Sequence, residues 1–356
     1  MKSYLLKKIH HAFWTLFGVI TAIFLLFNVL PGDPAQMMLG QNEDEAQLAI
    51  VKQKYGFDQP ILTQYLYDLS PVSFHDKNPK NYTFLESHDY NYKKLFETSS
   101  LILVLKYPFL RTSFTKQGKK VSQILSETLP NTIILAVASI SIALIIGLFF
   151  GIISAIYKDN FIDKLLLIIS TLGMSLPSFF SAILAAWIFG FLLHEFTGLE
   201  MSGSLYELDD FGEDNVLKLK NLILPAFVLG IRPLAVVTQL MRNSLLEVFN
   251  QDYITTARAK GLSAFQVITK HALKNALNPV VTAVSGWFAS LLAGAVFVEY
   301  IFSWNGLGKE IVNALNTLDL PVIMGAVLII ALTFVIINIL VDFIYSYLDP
   351  KIKLNA

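Results

Sequence analysis

Six long apolar segments alternate with polar segments along this chain of 356 residues. Each is close to the roughly 20 residues that a helix needs to cross the hydrocarbon core of a bilayer. The apolar segments lie at about residues 9–30, 131–157, 165–193, 222–241, 280–301 and 322–348. The first is long for a signal peptide and ends in LPGDP rather than in a cleavage site of small residues. The pattern predicts an all-α polytopic membrane protein with six transmembrane helices, the first of which is retained.

Lysine and arginine residues are distributed unequally between these predicted helices. If the N-terminus is cytoplasmic, the inside segments hold twelve of them, whereas the two short outside loops, 194–221 and 302–321, hold three. Cytoplasmic loops of membrane proteins are enriched in these residues. We therefore expect both the N- and C-termini in the cytoplasm, and a long external loop after helix 1.

This topology divides the chain into three regions. Residues 1–30 are the N-terminal tail and first helix, residues 31–130 are the external loop region, and residues 131–356 are the core with helices two to six. Residues at about 71–105 form an insertion in the external loop. Its apolar run 101–105 is too short to cross a membrane and is rich in β-forming residues, which predicts a folded loop.

Composition excludes several classes of function. Hydrophobic residues make up 54% of the chain and charged residues 15%, below the roughly one quarter of soluble domains. The net charge is zero, so nothing attracts the whole chain to nucleic acid. Cysteine is absent, which excludes disulfides and thiolate chemistry. The chain also lacks the glycine-rich phosphate loop, so we expect it to bind no ATP in that way and to carry no cofactor.

The polar loop 242–279 has the pattern of two helices joined by a tight turn. Residues 251–260 are good helix formers with a basic face, and Gly261 can adopt the positive φ that ends a helix. Ser263 is a candidate N-cap, with Gln266 in the register of a capping box. The second helix is expected to reach about Asn275, and Pro279 to mark the start of the fifth span.

The physical chemistry of this loop leaves two interpretations open. The short amphipathic piece around Gly261 could lie in a groove of a partner protein. Alternatively, a basic helix could rest on anionic lipid.

Two local signals within the predicted spans concern packing. Gly147 and Gly151 are four residues apart, a spacing that lets two helices approach closely. Pro177 lies inside the third span and predicts a kink or a short break in that helix.

An ordered set of motifs distinguishes between the two interpretations of the loop. The segments TTARAKGL at 255–262 and HALKNALNPVVT at 271–282 resemble the cytoplasmic loop of ABC-importer permeases, specifically the B-type subunit of the dipeptide/oligopeptide/nickel family. Other similar segments follow in the same order as in that family, namely LPGDP at 30–34, YGFDQP at 55–60, RTSF at 111–114, LPNT at 129–132, SLPSF at 175–179, ILPA at 223–226, RNSLLEV at 242–248, EYIFSWNGLG at 299–308, VD at 341–342 and DP at 349–350.

The resemblance implies a type I ABC-importer transmembrane domain in the inner membrane of a bacterial cell, surrounded by lipid. It implies a heterodimer with a second, homologous permease subunit, two cytoplasmic ATPase subunits that bind ATP, and an external substrate-binding protein. The chain itself would be no enzyme. The residues implied in coupling to the ATPases are Thr255, Thr256, Ala257, Arg258, Ala259, Lys260, Gly261, Leu262 and Ser263. Di- or oligopeptides are the substrates that the resemblance favours.

The chain departs from the general importer pattern at several positions. Thr255, Thr256 and Ala257 stand where Glu-Ala-Ala is expected, so an ionic contact through that glutamate is missing. HALK at 271–274 replaces Ile-x-Leu-Pro. Asn305 stands where proline is expected, which predicts a looser turn before Gly306.

Arg232 is a charged residue near the middle of the fourth predicted span and precedes Pro233. A charge at that depth is costly and usually faces a cavity or a partner. One interpretation places Arg232 on the translocation path, in contact with a peptide carboxylate. The other is structural, with Arg232 in an ion pair or bound to carbonyls freed by Pro233.

Two other classes of function remain as alternatives. An ion-coupled secondary transporter of small solutes usually carries intramembrane carboxylates and repeated halves, whereas here Asp342 alone lies well inside a span and no repeat is visible. A membrane enzyme would need a nucleophile and base, or a metal site, and the sequence contains no such constellation.

Overall fold

The computed structural model describes residues 2–29, 34–39, 45–55, 57–58, 60–61, 65, 72–76, 92–98, 101–106, 110, 112–116, 118–209, 211–212 and 214–348. The elements before residue 110 are α1 (Lys2–Val29), α2 (Pro34–Leu39), α3 (Glu45–Tyr55), β1 (Val72–Asp76), β2 (Tyr92–Glu97) and β3 (Leu101–Lys106). The next are α4 (Val121–Ile156), α5 (Phe161–Ser175), α6 (Ser178–Ala185) with a π-helical continuation (Ala186–Leu192), α7 (His194–Thr197), β4 (Tyr206–Leu208) and β5 (Asn215–Leu217). The last are α8 (Lys220–Phe249), α9 (Asp252–Ala259), α10 (Ala264–Gln266) with a π-helical continuation (Val267–Ala272), α11 (Leu273–Gly294), α12 (Val296–Ile301), α13 (Leu307–Asn316) and α14 (Leu320–Leu348).

Several helices are suited to crossing a membrane. Within the described chain, α4, α8 and α14 are long and apolar enough, and α5 with the helix that follows it is a fourth candidate if this bent pair is one span. Helices α1 and α11 occupy the predicted first and fifth spans, but their described residues do not pass the same test of length and hydropathy. The fold fits a polytopic membrane protein, and the number six stays a prediction.

The expectation of an all-α protein is wrong for the loops. Strands β1, β3 and β2 form an antiparallel sheet in that order, in which Val72 lies opposite Leu105 and Tyr92 opposite Lys106. Strands β4 and β5 form a second, two-stranded antiparallel sheet. Strand β3 contains the apolar run 101–105, whose β-forming residues fit a pleated surface. Such short strands leave no trace in a pattern dominated by long apolar segments.

The chain divides into two compact units. The smaller comprises Phe13–Ser126 and Asn313–Ile329, and the larger comprises Met1–Ala12, Glu127–Val312 and Ile330–Ala356. The larger unit holds the 242–279 loop, Arg232 and the helices that support them.

A buried carboxylate organises part of the smaller unit. Asp319 is 1% exposed and accepts hydrogen bonds from the main-chain N–H groups of Phe114 and Thr115 at 3.1 and 3.2 Å. The hydroxyls of Ser113 and Thr115 donate to the same carboxylate. A buried charge is tolerated where hydrogen bonds satisfy it. The motif RTSF therefore begins a segment that supplies donors to one acidic side chain.

In the larger unit, α4 and α8 approach each other at glycines. A Cβ atom at Gly147 would lie 2.9 Å from the carbonyl oxygen of Leu234, and one at Gly151 would lie 2.8 Å from that of Thr238. A Cβ atom at Gly230 on α8 would lie 2.7 Å from a carbonyl oxygen of α4. These distances leave no room for a larger residue, so the glycines set the separation of the two helices. The spacing of Gly147 and Gly151 predicted such a close approach, whereas Gly230 was not predicted.

The predicted break at Pro177 is confirmed. Helix α5 ends at Ser175, Leu176 has an extended backbone with φ of −81° and ψ of 139°, and α6 starts at Ser178. The two helical segments are bent by 107°. Proline lacks an N–H group and pushes the residue before it out of the helical region, which explains the position of the bend.

Two of the sequence motifs meet at the turn before α13. The indole N–H of Trp304 donates to the carbonyl of Asn131 at 3.1 Å, and the side-chain amide of Asn131 donates to the carbonyl of Asn305 at 2.7 Å. The main-chain N–H of Asn305 donates to Ser204 Oγ at 3.1 Å. Proline could not make this last bond. Asn305 therefore adds a hydrogen bond to the turn, contrary to the looser turn expected from the sequence.

The close approach of α4 and α8 leads to a first prediction. Gly151→Ala places a methyl group against main-chain atoms of α8, and such overpacking costs about 1–3 kcal/mol. We expect a lower thermal unfolding midpoint of the detergent-purified protein. The matched control is Gly286→Ala, because a Cβ atom at Gly286 in α11 meets nothing within 4 Å. Replacing a helical glycine by alanine stabilises the helix by up to about 1 kcal/mol, so the control should not lower the unfolding midpoint. Equal midpoints for the two variants would contradict the close contact.

Candidate coupling loop and membrane cavity

The loop after α8 is a helix, a glycine turn and a second helix. Helix α9 is flanked by Gln251 and Lys260, and Gly261 follows with φ of +78°. The N–H of Gly261 donates to the carbonyl of Arg258 at 2.9 Å, which closes the turn. A Cβ atom at Gly261 would meet nothing within 4 Å, so its backbone conformation alone favours glycine there.

The predicted capping box at the start of the second helix is confirmed. Ser263 Oγ accepts a hydrogen bond from the N–H of Gln266 at 3.3 Å, and the N–H of Ser263 donates to Gln266 Oε1 at 3.1 Å. This reciprocal pair satisfies two N–H groups at the helix start. The turn at Gly261 and the start of α10 are therefore fixed by local interactions.

The expected end of the second helix is wrong. Helix α10 continues through its π-helical segment into α11, which runs from Leu273 to Gly294 and contains Pro279. Pro279 costs a main-chain hydrogen bond but does not interrupt the helix, since neighbouring contacts such as buried Ala276 and Val280 hold this segment. Similarly, α8 extends to Phe249, beyond the predicted end of the fourth span at 241.

One face of the loop is anchored in an apolar core. Ile254 and Ala257 on α9 are 0% and 5% exposed. They belong to one cluster with Met241 and Leu245 on α8 and with Ala155 on α4. The side-chain amide of Asn275 also donates a hydrogen bond to the hydroxyl of Tyr253 on α9 at 2.8 Å. The loop is therefore a surface built on the ends of several helices.

The opposite face of the loop is open. Of the nine residues implied in coupling, Ala257 is buried, Leu262 is half-buried, and seven are exposed: Thr255, Thr256, Arg258, Ala259, Lys260, Gly261 and Ser263. The structure thus brings together a contiguous exposed patch around the turn. Ala257 and Leu262 pack against the core cluster and hold the patch from behind.

Two aromatic residues extend this patch and were missed from the sequence. Phe265 is 75% exposed and Tyr253 is 41% exposed, on either side of Gly261 in the chain. A large apolar residue in a polar segment, as Phe265 is, was the available signal in the sequence. Exposed aromatic residues beside basic ones are typical of protein interfaces.

Arg232 lies on α8 at the edge of a cavity of about 70 Å³. Polar and apolar side chains share its wall, among them Leu176, Ser178, Ser181, Trp287 and Ser290. Arg232 is exposed and has no hydrogen bond or ion pair with any described residue. Among the described residues, Arg232 therefore has neither the ion pair nor the hydrogen bonds to carbonyls that the structural interpretation expects. The cavity lies at the bend between α5 and α6, so Pro177 helps to shape it.

A buried ion pair that sequence reasoning missed connects three helical segments. Arg242 on α8 donates from Nε to Asp163 Oδ1 at 2.8 Å and from Nη2 to Asp163 Oδ2 at 2.6 Å. Asp163 on α5 is 1% exposed and also accepts from Ser154 Oγ on α4 and from the N–H of Asp159. Such bidentate, charge-assisted contacts are strong and directional. We call Asp163, Arg242 and Ser154 the polar clamp.

The polar clamp could not be found from the sequence because its charged members are far apart along the chain. Asp163 could be read only as an acid in the first turn of a helix, and Arg242 only as part of a basic loop. Asp342, the acidic residue noted in the last span, has a side chain outside the described part of the structure.

Comparisons with known proteins agree with this architecture. The family model described as binding-protein-dependent transport system inner membrane component matches residues 147–354. A second model, for the N-terminal part of such membrane components, matches residues 1–84. A Brucella suis protein described as a peptide permease is 33% identical over 100% of both chains. The dipeptide transport system permease protein DppB of Bacillus subtilis is 32% identical over 100% of this chain and 99% of its own.

The fold is also found in a solved transporter. A chain of the methionine ABC transporter MetNI in an inward-facing conformation has a TM-score of 0.50 at 16% identity, covering 64% of this chain and 97% of that one. A second crystal form has a TM-score of 0.51 and 96% coverage of that chain. The family models and the full-length relatives, on a fold with several apolar helices, define a membrane permease component of an ABC importer. The chain belongs to the binding-protein-dependent transport system inner membrane components.

Proposed function

We propose that this chain is one of two homologous permease subunits that enclose the translocation path of an ATP-driven peptide importer in a bacterial inner membrane. The chain would cross the membrane six times, with both termini and the 242–279 loop in the cytoplasm. An external binding protein would deliver di- or oligopeptides. The names of the relatives, a peptide permease and DppB, support the peptide class.

The observation that carries the proposal is the two-sided loop around Gly261. Its inner face, with Ile254 and Ala257, is buried against the ends of α4 and α8. Its outer face is basic and exposed, with Arg258 and Lys260 beside the turn. A surface whose inner face is packed on the membrane helices and whose outer face is exposed can transmit the movement of a soluble partner to those helices. Two cytoplasmic ATPase subunits are the partners that this chemistry fits, one on each permease subunit.

Coupling would follow from the geometry of the loop. ATP binding and hydrolysis would move the ATPase subunits, and the exposed patch would follow them. Because α9 shares its core with α4 and α8, the displacement would reach the helices that line the cavity at Arg232. The free energy would come from ATP in the partner subunits, and this chain would supply the path and the joint.

Co-purification tests the proposed function directly. The tagged chain, expressed with the products of its neighbouring genes, should retain an ATPase and a second permease after membrane extraction. In proteoliposomes with the binding protein, uptake of trialanine should require ATP. Uptake that continues without ATP and depends on a proton gradient would instead identify an ion-coupled transporter, and the proposal would be wrong.

The turn itself gives a sharper prediction. Gly261→Val forces a β-branched residue into the left-handed region, at a cost of about 1–2 kcal/mol, at a site where the added Cβ atom meets nothing within 4 Å. We expect the ATPase subunits to hydrolyse ATP while uptake per ATP falls about tenfold. Gly212→Val is the matched control, because Gly212 also has a positive φ, of +74°, and open space around it. Normal coupled uptake by Gly261→Val would show that the turn at Gly261 does not transmit movement from the ATPase subunits.

Arg232 is proposed to bind the carboxylate of the peptide as it passes through the cavity. Its guanidinium has no partner among the described residues, and the hydroxyls of Ser178, Ser181 and Ser290 lie around the same cavity. An arginine can hold a carboxylate through two parallel hydrogen bonds. A charge in this position of a membrane protein usually faces a cavity or a partner, and a carboxylate of the second permease is the competing occupant.

Exchange of Arg232 separates the two occupants. A hydrogen bond to a charged group contributes about 1.5–3 kcal/mol, so Arg232→Gln should lower uptake of trialanine at least roughly tenfold. Uptake of trialanine amide, which has no free carboxylate, should be poor in the original protein and unchanged by Arg232→Gln. If Arg232 instead pairs with the second permease, the variant will fail to hold that subunit during purification. Normal trialanine uptake would remove Arg232 from the path.

A further inference from the structure

Helix α5 packs along α8, yet few of its side chains are fully buried. Asp163 and Ser170 are its only buried residues. The hydroxyl of Ser170 has no hydrogen-bond partner among the described residues. The remaining face carries exposed apolar residues such as Ile168 and Leu172, which suits contact with lipid. The polar clamp at Asp163 is therefore the charged contact that ties this helix to α8 and α4.

The two ends of α5 lie at two functionally different places. Near its first turn, Asp163 binds Arg242, which lies one residue after Met241 of the core that anchors the coupling loop. At its other end, Gly173 lies against Ile231, since an added Cβ atom would come within 2.5 Å of Ile231 Cγ2. Gly173 and Leu176 line the cavity at Arg232. The helix thus spans from the clamp to the cavity.

The loop and the end of α8 behave as one body because they share a core. Ile254 and Ala257 from the loop and Met241 and Leu245 from α8 are at most 5% exposed and pack in the same cluster. A close-packed core of this kind transmits displacement instead of absorbing it. A displacement of the loop would therefore also displace Arg242, which lies on the same helix as Met241 and Leu245.

We propose that Asp163 and Arg242 are positioning residues that transmit the movement of the coupling loop to α5, and thereby set the opening of the cavity at Arg232. The inference rests on the proposed function of the loop. Stability alone is a weak reason for a buried ion pair, since apolar residues of similar size are often as stabilising. A bidentate pair, however, fixes the angle as well as the distance between two helices, which is what a mechanical link requires.

The first test uses uncharged polar variants in the complete transporter, reconstituted with its binding protein. Asp163→Asn and Arg242→Gln should each lower trialanine uptake per ATP hydrolysed about tenfold. The double variant should be no worse than either single one, because residues that act as a pair are not additive. Lys164→Gln is the matched control, since Lys164 is the next residue on α5 and is exposed. Additive losses, or an unchanged ratio in the single variants, would overturn the proposal.

A second measurement follows the cavity itself. The chain has no cysteine, so Leu176→Cys introduces a single thiol at the bend of the cavity wall. Its rate of reaction with N-ethylmaleimide should change on addition of ATP, at least about threefold. Asp163→Asn in the same background should abolish this change while the ATPase subunits still co-purify. An ATP-dependent change that persists without the clamp would show that α5 is driven by another route.

The outcomes distinguish the inference from the proposed function. If the original protein binds no ATPase, the proposed function fails and the clamp has nothing to transmit. If the original protein couples uptake to ATP but the clamp variants do so equally well, the inference alone fails. Where Asp163→Asn gives too little complex, Arg242→Lys supplies the test, because lysine keeps the charge but loses the bidentate geometry. It should have an uptake per ATP between those of the original protein and Arg242→Gln, and an unreduced ratio would count against the clamp.

Discussion

The close contact between α4 and α8 is the constraint on which the larger unit depends. At Gly147, Gly151 and Gly230 the main chain of one helix lies directly against the other helix. The distances there leave no space for a Cβ atom. One side of helix α8 is thereby fixed against α4, and this side continues into the core of the coupling loop. Arg232 lies where α8 lines the cavity together with α5, α6 and α11. Helix α8 therefore connects the coupling loop, the polar clamp and the cavity at Arg232.

The loop after α8 illustrates how a membrane subunit can present a soluble surface without a soluble domain. Its inward residues are apolar and small enough to extend the membrane core, whereas its outward residues are basic, polar and aromatic. Gly261 and the capping box of Ser263 set the angle between the two halves through local backbone geometry. The surface therefore keeps its shape without the partner, which reduces the ordering cost when the partner binds.

Local features of this fold could be predicted from the sequence, and contacts between distant residues could not. The capping box, the turn at Gly261 and the break at Pro177 depend on neighbours within a few residues, so they follow from residue type and spacing. The passage of the helix through Pro279 was missed because tertiary packing overrides the preference of a single residue. The pair of Asp163 and Arg242 was missed because a single sequence does not say which of many charges meet.

Assembly order follows from the buried carboxylate of the smaller unit. Ser113 and Asp319 are 206 residues apart along the chain, yet they bind each other. At a synthesis rate of about 5–20 residues per second, the acceptor emerges roughly 10–40 s after its donors. During that interval these donors lack the carboxylate that accepts their hydrogen bonds in the folded unit. The hydrogen bonds between Asp319 and this segment can therefore form only after most of the helices of the larger unit have been made.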